Sequence, residues 1–325
     1  MRLSDVSQPS AQHVVETISP ERLQQRRERL MAILTVGLPT ISTHIFELNT
    51  LLSAQTVDLR RVAKIIRSDP SMSAQVIRMC NSALFGLRRR VLSIEEAAVL
   101  MGSERLRTLV LTCSVMEFTG RQLPAETVQD FWQHSFMTGM LSERIAKWIE
   151  YSEHEQAYLG GLLHDVGLLP LLVVAAEEGP LNSDSPIKIR GGSLETEKAH
   201  FGLSHCEVGR SIGASWNFYP SFIDIFENHH HPENSTRDPH LVGIVAAADH
   251  FAEVRGAATA SEGEAPESAD PAAEDEFFAL CFPRLDPEGR AELVEMLENE
   301  YLHLLPVIEF NHPGASQPAG KQVRN

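Results

Sequence analysis

The sequence has few cysteines and no long apolar run. Its four cysteines lie far apart and form no C-x-x-C pair, which argues against a zinc knuckle or a dense disulfide framework. The apolar stretch Leu162 to Ala176 is interrupted by His164 and Asp165, well short of the roughly 20 apolar residues that cross a bilayer. Residues 1–20 lack the hydrophobic core of a secretory signal. These absences predict a cytoplasmic protein with no membrane-spanning segment.

Positive charge is also scarce. The chain has 28 lysine and arginine residues against 44 acidic residues, which gives a formal net charge of −16. Such a charge repels phosphate backbones and argues against general nucleic-acid binding. The basic run Arg88-Arg89-Arg90 has no interleaved aromatic residues and is interpreted as a solvated loop. It remains a candidate surface for a partner.

The patterning of the first half favours helices. The chain has 325 residues and 43% hydrophobic content, enough for two domains with real cores. From Ile45 to about Leu111 it reads as short helices joined by tight turns, without alternating strand patterns. Asp58 and Ser93 are placed to cap helices, and Gly102 is predicted to end one. These signals predict helices throughout this region.

An imidazole and a carboxylate occupy consecutive positions, His164 and Asp165, in the apolar run from Gly160 to Pro170. Burying such groups is costly unless they find a partner such as a metal ion. Two ligands do not make a metal site, so further donors must come from elsewhere in the chain. The candidates, in chain order, are His134 with Asp130 one helical turn before it, His205, the pair His229 and His230, and Asp249.

Small motifs in both halves resemble the HDOD family, which comprises helical bacterial modules related to the HD phosphohydrolases and associated with signalling. The motifs are Leu38-Pro39, Asp69-Pro70, Asn81-Ser82, Gly86, Ser93-Ile94-Glu95 with Ala97 and Ala98, and Gly102. The resemblance covers roughly residues 37–255. It implies an all-α fold with an N-terminal helical subdomain and an HD-like helical bundle.

Five parts of the chain are expected from this resemblance and from composition. They are a partly helical N-terminal extension (1–36), the N-terminal helical subdomain (37–126), the HD-like bundle (127–255), a mobile acidic insertion (256–276), and C-terminal helices with a tail (277–325).

The histidine and aspartate series is similar, residue by residue, to the metal ligands of the HD-GYP branch of the HD superfamily. The resemblance implies that these side chains bind a divalent metal: His134, His164, Asp165, His205, His229, His230 and Asp249, with Asp130 as an additional carboxylate. Mixed nitrogen and oxygen ligands suit iron, manganese or zinc better than magnesium.

Two departures from the HD-GYP pattern bear on substrate handling. Leu168 stands where many HD-GYP enzymes have a lysine that would contact phosphate, and Glu233 to His240 replace the glycine, tyrosine and proline motif. The leading hypothesis is therefore a regulatory signal-transduction protein that binds a signalling partner. The alternative is a metal-dependent phosphohydrolase acting on a nucleotide or cyclic dinucleotide, so the sequence leaves open whether the protein is an enzyme. A third hypothesis keeps the metal as a structural or redox-sensing element.

Two further residues near the candidate ligands are given structural interpretations. Glu197, like Glu195, is attributed to the preference for acidic residues at the start of a helix. Cys206 is adjacent to His205 and is a candidate thiolate ligand, but adjacent residues point to different helical faces, so the interpretation as a buried structural thiol is favoured.

Overall fold

Regular structure in the described part of the chain is entirely helical. A computed structural model describes residues 18–36, 51, 57–68, 70–81, 90–181, 187–189, 192–216, 218–260 and 270–310, and no strand occurs among them. The all-α fold is therefore confirmed. The helices are α1 (Pro20–Val36), α2 (Leu59–Arg67), α3 (Pro70–Cys80), α4 (Ile94–Gln122), α5 (Ala125–Trp148), α6 (His154–Leu163), α7 (Leu168–Glu178), α8 (Leu194–Phe201), α9 (His205–Ser215), α10 (Pro220–Asn228), α11 (Pro239–Ala260), α12 (Pro271–Cys281) and α13 (Pro287–Phe310).

The predicted helix caps of the N-terminal half form. The Asp58 carboxylate accepts hydrogen bonds from the backbone N–H groups of Arg60 and Arg61 at 3.0 and 3.2 Å, at the start of α2. The Ser93 hydroxyl accepts one from the Glu96 N–H at 3.1 Å, at the start of α4. The motif residues Leu38, Pro39, Asp69, Ser82 and Gly86, and the basic residues Arg88 and Arg89, lie outside the described residues.

Asn81 has a definite structural role at the end of α3. Its amide donates to the Val91 carbonyl at 2.7 Å, and its side-chain oxygen accepts from the Val91 N–H at 2.6 Å. This pair of hydrogen bonds satisfies both backbone groups of Val91, and it holds the segment before α4 against the end of α3. The asparagine therefore holds two helices of the N-terminal half together.

Gly102 interrupts α4 as predicted. Its backbone has φ 71° and ψ 179°, a conformation that favours glycine because other residues would be strained there. Helices lie on both sides, so α4 consists of two helices that meet at a kink at Gly102, as predicted.

The core that positions the candidate site is built from α5, α6 and α11. Helix α5 packs mainly against α6, and α11 packs against both. The approach of α5 to α6 requires glycine: a Cβ on Gly161 would lie 2.6 Å from Ser142 Oγ and 2.7 Å from the Thr138 carbonyl oxygen. This close packing holds the turn that follows α6 near the middle of α5.

The stretch His154–Glu178, which contains α6 and α7, is more apolar than the interruption at His164 and Asp165 led us to expect. By length and composition alone it could cross a membrane. However, 94% of its most apolar window is buried inside the protein. Burial in the core accounts for its composition.

Helix α1 attaches the N-terminal extension to the C-terminal half. The Arg26 guanidinium, 5% exposed, donates two hydrogen bonds of 2.8 Å to Glu178 at the end of α7. It also donates to the His200 carbonyl at 3.2 Å and lies over the Phe201 ring in α8. These contacts connect α1 to the two helices on either side of the 179–193 connection.

Helices enter the predicted 256–276 insertion from both ends. Helix α11 continues to Ala260, and α12 begins at Pro271, where the Asp270 side chain accepts a hydrogen bond from the Ala272 N–H at 3.0 Å. The alanine and glutamate that made this stretch look like a mobile insertion are also good helix formers. Residues 261–269 lie outside the described residues, and the five-part division stays a prediction.

Candidate metal centre

Five separate segments bring the candidate ligands together. His134 comes from the middle of α5, His164 and Asp165 from the turn between α6 and α7, and His205 from the first residue of α9. His229 and His230 follow α10, and Asp249 lies in α11. Six of the seven side chains are buried, and His230 is partly exposed.

One group of donors surrounds Asp249. Its Oδ1 atom lies 2.9 Å from His134 Nε2 and 3.1 Å from His164 Nε2. Asp165 Oδ2 completes the group, at 3.4 Å from His164 Nε2 and 3.9 Å from His134 Nε2. Two imidazoles and two carboxylates therefore converge on one point.

A second group lies on the other side of Asp165. Asp165 Oδ1 is 3.3 Å from both His205 Nε2 and His229 Nε2. His205 Nε2 is itself 3.2 Å from His229 Nε2 and 3.2 Å from His230 Nε2. Asp165 thus directs one carboxylate oxygen to each group, the arrangement of a ligand that bridges two cations.

Hydrogen bonds behind the imidazoles orient them toward the centre. Nδ1 of His164 donates to the Gly161 carbonyl at 2.7 Å, and Nδ1 of His229 donates to the Ile225 carbonyl at 3.0 Å. Nδ1 of His205 lies 2.9 Å from both oxygens of Glu197. Since a carbonyl or carboxylate oxygen accepts the Nδ1 proton, the Nε2 atoms of these rings face the centre as the donor atoms.

These orientations fit a metal and fit poorly without one. Nε2 of His205 and Nε2 of His229 lie 3.2 Å apart in a buried site, a separation at which either a shared proton or a bound cation joins two ring nitrogens. Five buried atoms of the two groups also form no hydrogen bond of acceptable geometry, in spite of the short distances between some of them: Nδ1 and Nε2 of His134, Nε2 of His164, Oδ1 of Asp165 and Oδ1 of Asp249. Buried polar atoms are rarely left in this state, and a cation would satisfy most of them.

The electrostatics keep the two carboxylates and His230 in forms that bind metal. Burial alone would lower the pKa of His164 and His205, but the charge of Asp165 raises it well above its ordinary value, so a metal would displace a proton from these two rings. Burial alone would raise the pKa of Asp165, but the charges of His164 and His205 outweigh it and hold the pKa well below its ordinary value. The pKa of Asp249 is likewise held low, against burial, by His164 and His134. Burial and the neighbouring His229 hold the pKa of His230 well below its ordinary value. Ionised carboxylates and a neutral imidazole are the ligating forms.

Asp130 does not join the cluster. Its side chain is exposed, although it precedes the buried His134 by one turn of α5. Spacing places the two on one face of the helix but does not fix how deeply that face is buried along its length. Among the described residues, Asp130 takes no part in the close nitrogen–oxygen contacts that join the other donors.

Two residues that were given structural interpretations contact the cluster. Glu197, 2% exposed, bonds His205 through both the backbone N–H, at 2.7 Å, and the ring. Cys206 is buried as expected, but its Sγ lies 3.5 Å from His205 Nε2. Neither contact follows from spacing: Glu197 is eight residues before His205, and the turn at Gly202 brings them together. The capping box of Ser204 and Glu207, which starts α9 at His205, was the available sequence signal.

The fold and the cluster define a helical protein of the HD type. The chain belongs to the HDOD domain family, because the model of that domain matches residues 38–232, more than half of the sequence. The resemblance seen in the sequence is therefore confirmed.

Comparisons with individual proteins agree with this family. A protein of Treponema pallidum, uncharacterised, is 23% identical over 222 residues, which are 65% of this chain and 41% of that protein. The chain thus spans less than half the length of this relative.

Three solved structures share the fold. An HDOD domain protein of unknown function from Geobacter sulfurreducens is 22% identical, with a TM-score of 0.64 over 90% of this chain and 99% of that one. A candidate signal transduction protein from Marinobacter aquaeolei is 20% identical, with a TM-score of 0.60 over 89% and 65% of the two chains. A candidate metal-dependent phosphohydrolase from Shewanella amazonensis is 18% identical, with a TM-score of 0.55 over 86% and 99%. At these identities the likeness concerns the fold alone.

Proposed function

We propose that this chain is a regulatory signal-transduction protein that holds a metal centre and acts by binding a signalling partner. The observation that carries the proposal is a largely buried cluster of seven donors that has no cationic group beside it in the described part of the chain to receive a phosphate. Leu168, 2% exposed, occupies the position of the phosphate-contacting lysine. Among the described residues no lysine or arginine contacts the seven donors.

Burial and family membership support this function. A centre that is closed on most sides is better suited to hold a metal and stabilise one conformation than to admit a large substrate. The family resemblance implies an association with signalling, and one of the structural neighbours is named as a signal transduction protein. In this proposal the metal would be held by His134, His164, Asp165 and Asp249 on one side and by Asp165, His205, His229 and His230 on the other.

The second candidate function is a metal-dependent phosphohydrolase for a nucleotide or cyclic dinucleotide. The bridging position of Asp165 favours it, because a carboxylate between two cations is typical of two-metal hydrolytic centres. A bound pair of metals would supply an activated water and bind phosphate oxygens. The Shewanella neighbour is named as a metal-dependent phosphohydrolase.

Metal content per chain is the first test. Untagged protein would be compared with His164→Ala and Asp165→Ala, with His231→Ala as the matched control because its exposed side chain follows His230 directly. We expect near-stoichiometric iron, manganese or zinc in the wild type and the control, and its loss in both site variants. Protein that stays metal-free after anaerobic reconstitution would refute the metal centre.

Turnover and partner binding separate the two candidates. Metal-loaded protein would be assayed with bis(p-nitrophenyl) phosphate and with cyclic dinucleotides. The regulatory proposal predicts no turnover that depends on His164, together with a partner interaction that His231→Ala retains and Asp165→Ala loses. Turnover at enzyme-like rates that His164→Ala abolishes would establish the hydrolase instead.

A further inference from the structure

Cys206 lies at the second group of donors. Its Sγ is 3.5 Å from His205 Nε2, and its side chain is 5% exposed. Sγ and one ring nitrogen from each of His205, His229 and His230 all lie within 4.8 Å of one another. The thiol is thus one member of a four-residue cluster.

The local fold explains why adjacent residues reach the same point. His205 begins α9, and Glu197 fixes its ring through Nδ1. The ring extends along the start of the helix, so that its far nitrogen, Nε2, comes beside the short side chain of the next residue. Adjacent residues do start from different faces of the helix, but the imidazole is long enough for its Nε2 atom to reach the Cys206 side chain.

Three distances measured from His205 Nε2 match the separations between two ligand atoms of one tetrahedral metal ion. Zinc bonds of about 2.05 Å to nitrogen and 2.3 Å to sulfur place two nitrogen ligands about 3.3 Å apart, and a nitrogen and a sulfur about 3.6 Å apart. The observed separations from His205 Nε2 are 3.2 Å to His229 Nε2, 3.2 Å to His230 Nε2 and 3.5 Å to Cys206 Sγ. These three separations agree with one cation that binds all four atoms, and Asp165 Oδ1 faces the same position at 3.3 Å from His205 Nε2 and His229 Nε2.

We propose that Cys206 binds metal as a thiolate and adds a sulfur donor to the position formed by His205, His229, His230 and the bridging oxygen of Asp165. This inference rests on the metal centre of the proposed function. On binding, the metal–sulfur bond replaces the S–H bond and the proton passes to solvent. The two positions then differ in chemistry: the one at Asp249 has nitrogen and oxygen donors, and the one at Cys206 selects zinc or another thiophilic cation over manganese and magnesium.

The added sulfur ligand also bears on function. A metal whose coordination positions are all filled by protein side chains has no free position for a water or a phosphate oxygen, which is the character of a structural or regulatory site. The thiolate would therefore favour the regulatory function over hydrolysis.

Cobalt substitution tests the thiolate ligand. Metal-free full-length protein would be loaded with Co²⁺, and its absorption and bound cobalt would be measured for the wild type, Cys206→Ser and Cys281→Ser. Cys281 is a matched control because it is also a buried thiol but lies outside the cluster. We expect a near-ultraviolet sulfur-to-cobalt charge-transfer band in the wild type and the control. Cys206→Ser should lose the band and bind zinc at this position at least 10-fold more weakly, while the other position keeps its cobalt.

Each other outcome decides against the thiolate. Two bound cobalt ions without the charge-transfer band in the wild type would overturn this inference and leave the metal centre intact. A band that survives in Cys206→Ser, with unchanged unfolding midpoint, would have the same consequence. Absence of bound cobalt in every protein would overturn the metal centre and this inference together, so the two failures are distinguishable.

Discussion

At the scale of single residues, Glu197 controls the chemistry of His205. The buried carboxylate accepts from the backbone N–H of His205 at 2.7 Å and from its Nδ1 at 2.9 Å. Such a partner fixes the tautomer of a ligating imidazole and raises the basicity of its free nitrogen. Glu197 is thus a positioning residue for the second group of donors.

Replacing Glu197 should weaken that metal position selectively. In Glu197→Gln the side chain keeps its size but places an amide N–H₂ against one of the two His205 donors. We expect metal affinity at the His205 position to fall by about 10- to 100-fold, with little change at the Asp249 position. Competition with a chelator, followed for each metal equivalent, measures both.

Glu195→Gln is the control for this prediction. Glu195 lies in the same first turn of α8 but is exposed. Its substitution should leave both affinities unchanged. Equal weakening in the two variants would show that the charge of the helix start matters and not the contact with His205.

At the scale of helices, the site depends on how closely the turn between α6 and α7 approaches α9. A Cβ on Gly167 would lie 2.0 Å from the His205 carbonyl oxygen and 2.4 Å from the Gly209 nitrogen. Both are backbone atoms of α9 and cannot rotate away. The glycine therefore sets the spacing between the His164–Asp165 pair and His205.

Gly167→Ala should separate these two elements. We expect it to destabilise the protein by about 3 kcal/mol or more, at the upper end for overpacking, because the backbone must move. Urea unfolding midpoints measure the loss. Gly179→Ala is the matched control, since a Cβ there meets nothing within 4 Å; an equal loss in both variants would contradict this account.

Features that depend on neighbours in the chain can be predicted from sequence, whereas features that depend on helix packing cannot. Caps at Asp58 and Ser93 and the break at Gly102 were predicted because they depend on neighbours in the chain. The exposed position of Asp130 and the contacts of Glu197 and Cys206 were not, because they depend on which helices cross and at what depth. The series of seven donors was found through its order along the chain, and folding brings all seven to one place.

At the scale of the whole molecule, α1 and the C-terminal half are joined through Arg26 and Glu178. Hydrogen bonds from Arg26, opposed by burial and reinforced by Arg22, lower the pKa of Glu178 to about 2. A carboxyl with a depressed pKa stabilises the fold above its unfolded value of 4.5, and this contribution is lost as the pH falls from 4.5 through about 2.

Glu178→Gln should therefore show a pH-dependent loss of stability. Near pH 7 we expect a loss of about 1–2 kcal/mol, the worth of charged hydrogen bonds reduced by partial exposure. The difference from the wild type should shrink below pH 4.5, when the wild-type carboxyl also becomes neutral. Urea unfolding across this range measures it.

Glu177→Gln provides the comparison. Glu177 pairs with Arg29 on the surface, with side chains 41% and 50% exposed, so its removal should have little effect at any pH. A larger loss in this variant than in Glu178→Gln would refute the special role of Arg26.

The stretch that supplies His164 and Asp165 is, among the described residues, the one that is long and apolar enough to cross a membrane by length and composition. While the protein is folded, His154–Glu178 is covered by other helices. Unfolding exposes this stretch to water, where copies from different molecules can associate faster than each chain refolds. The rate of unfolding would then govern heat inactivation. The half-life of the folded protein at a given temperature, and not an equilibrium unfolding midpoint, would measure its resistance to heat.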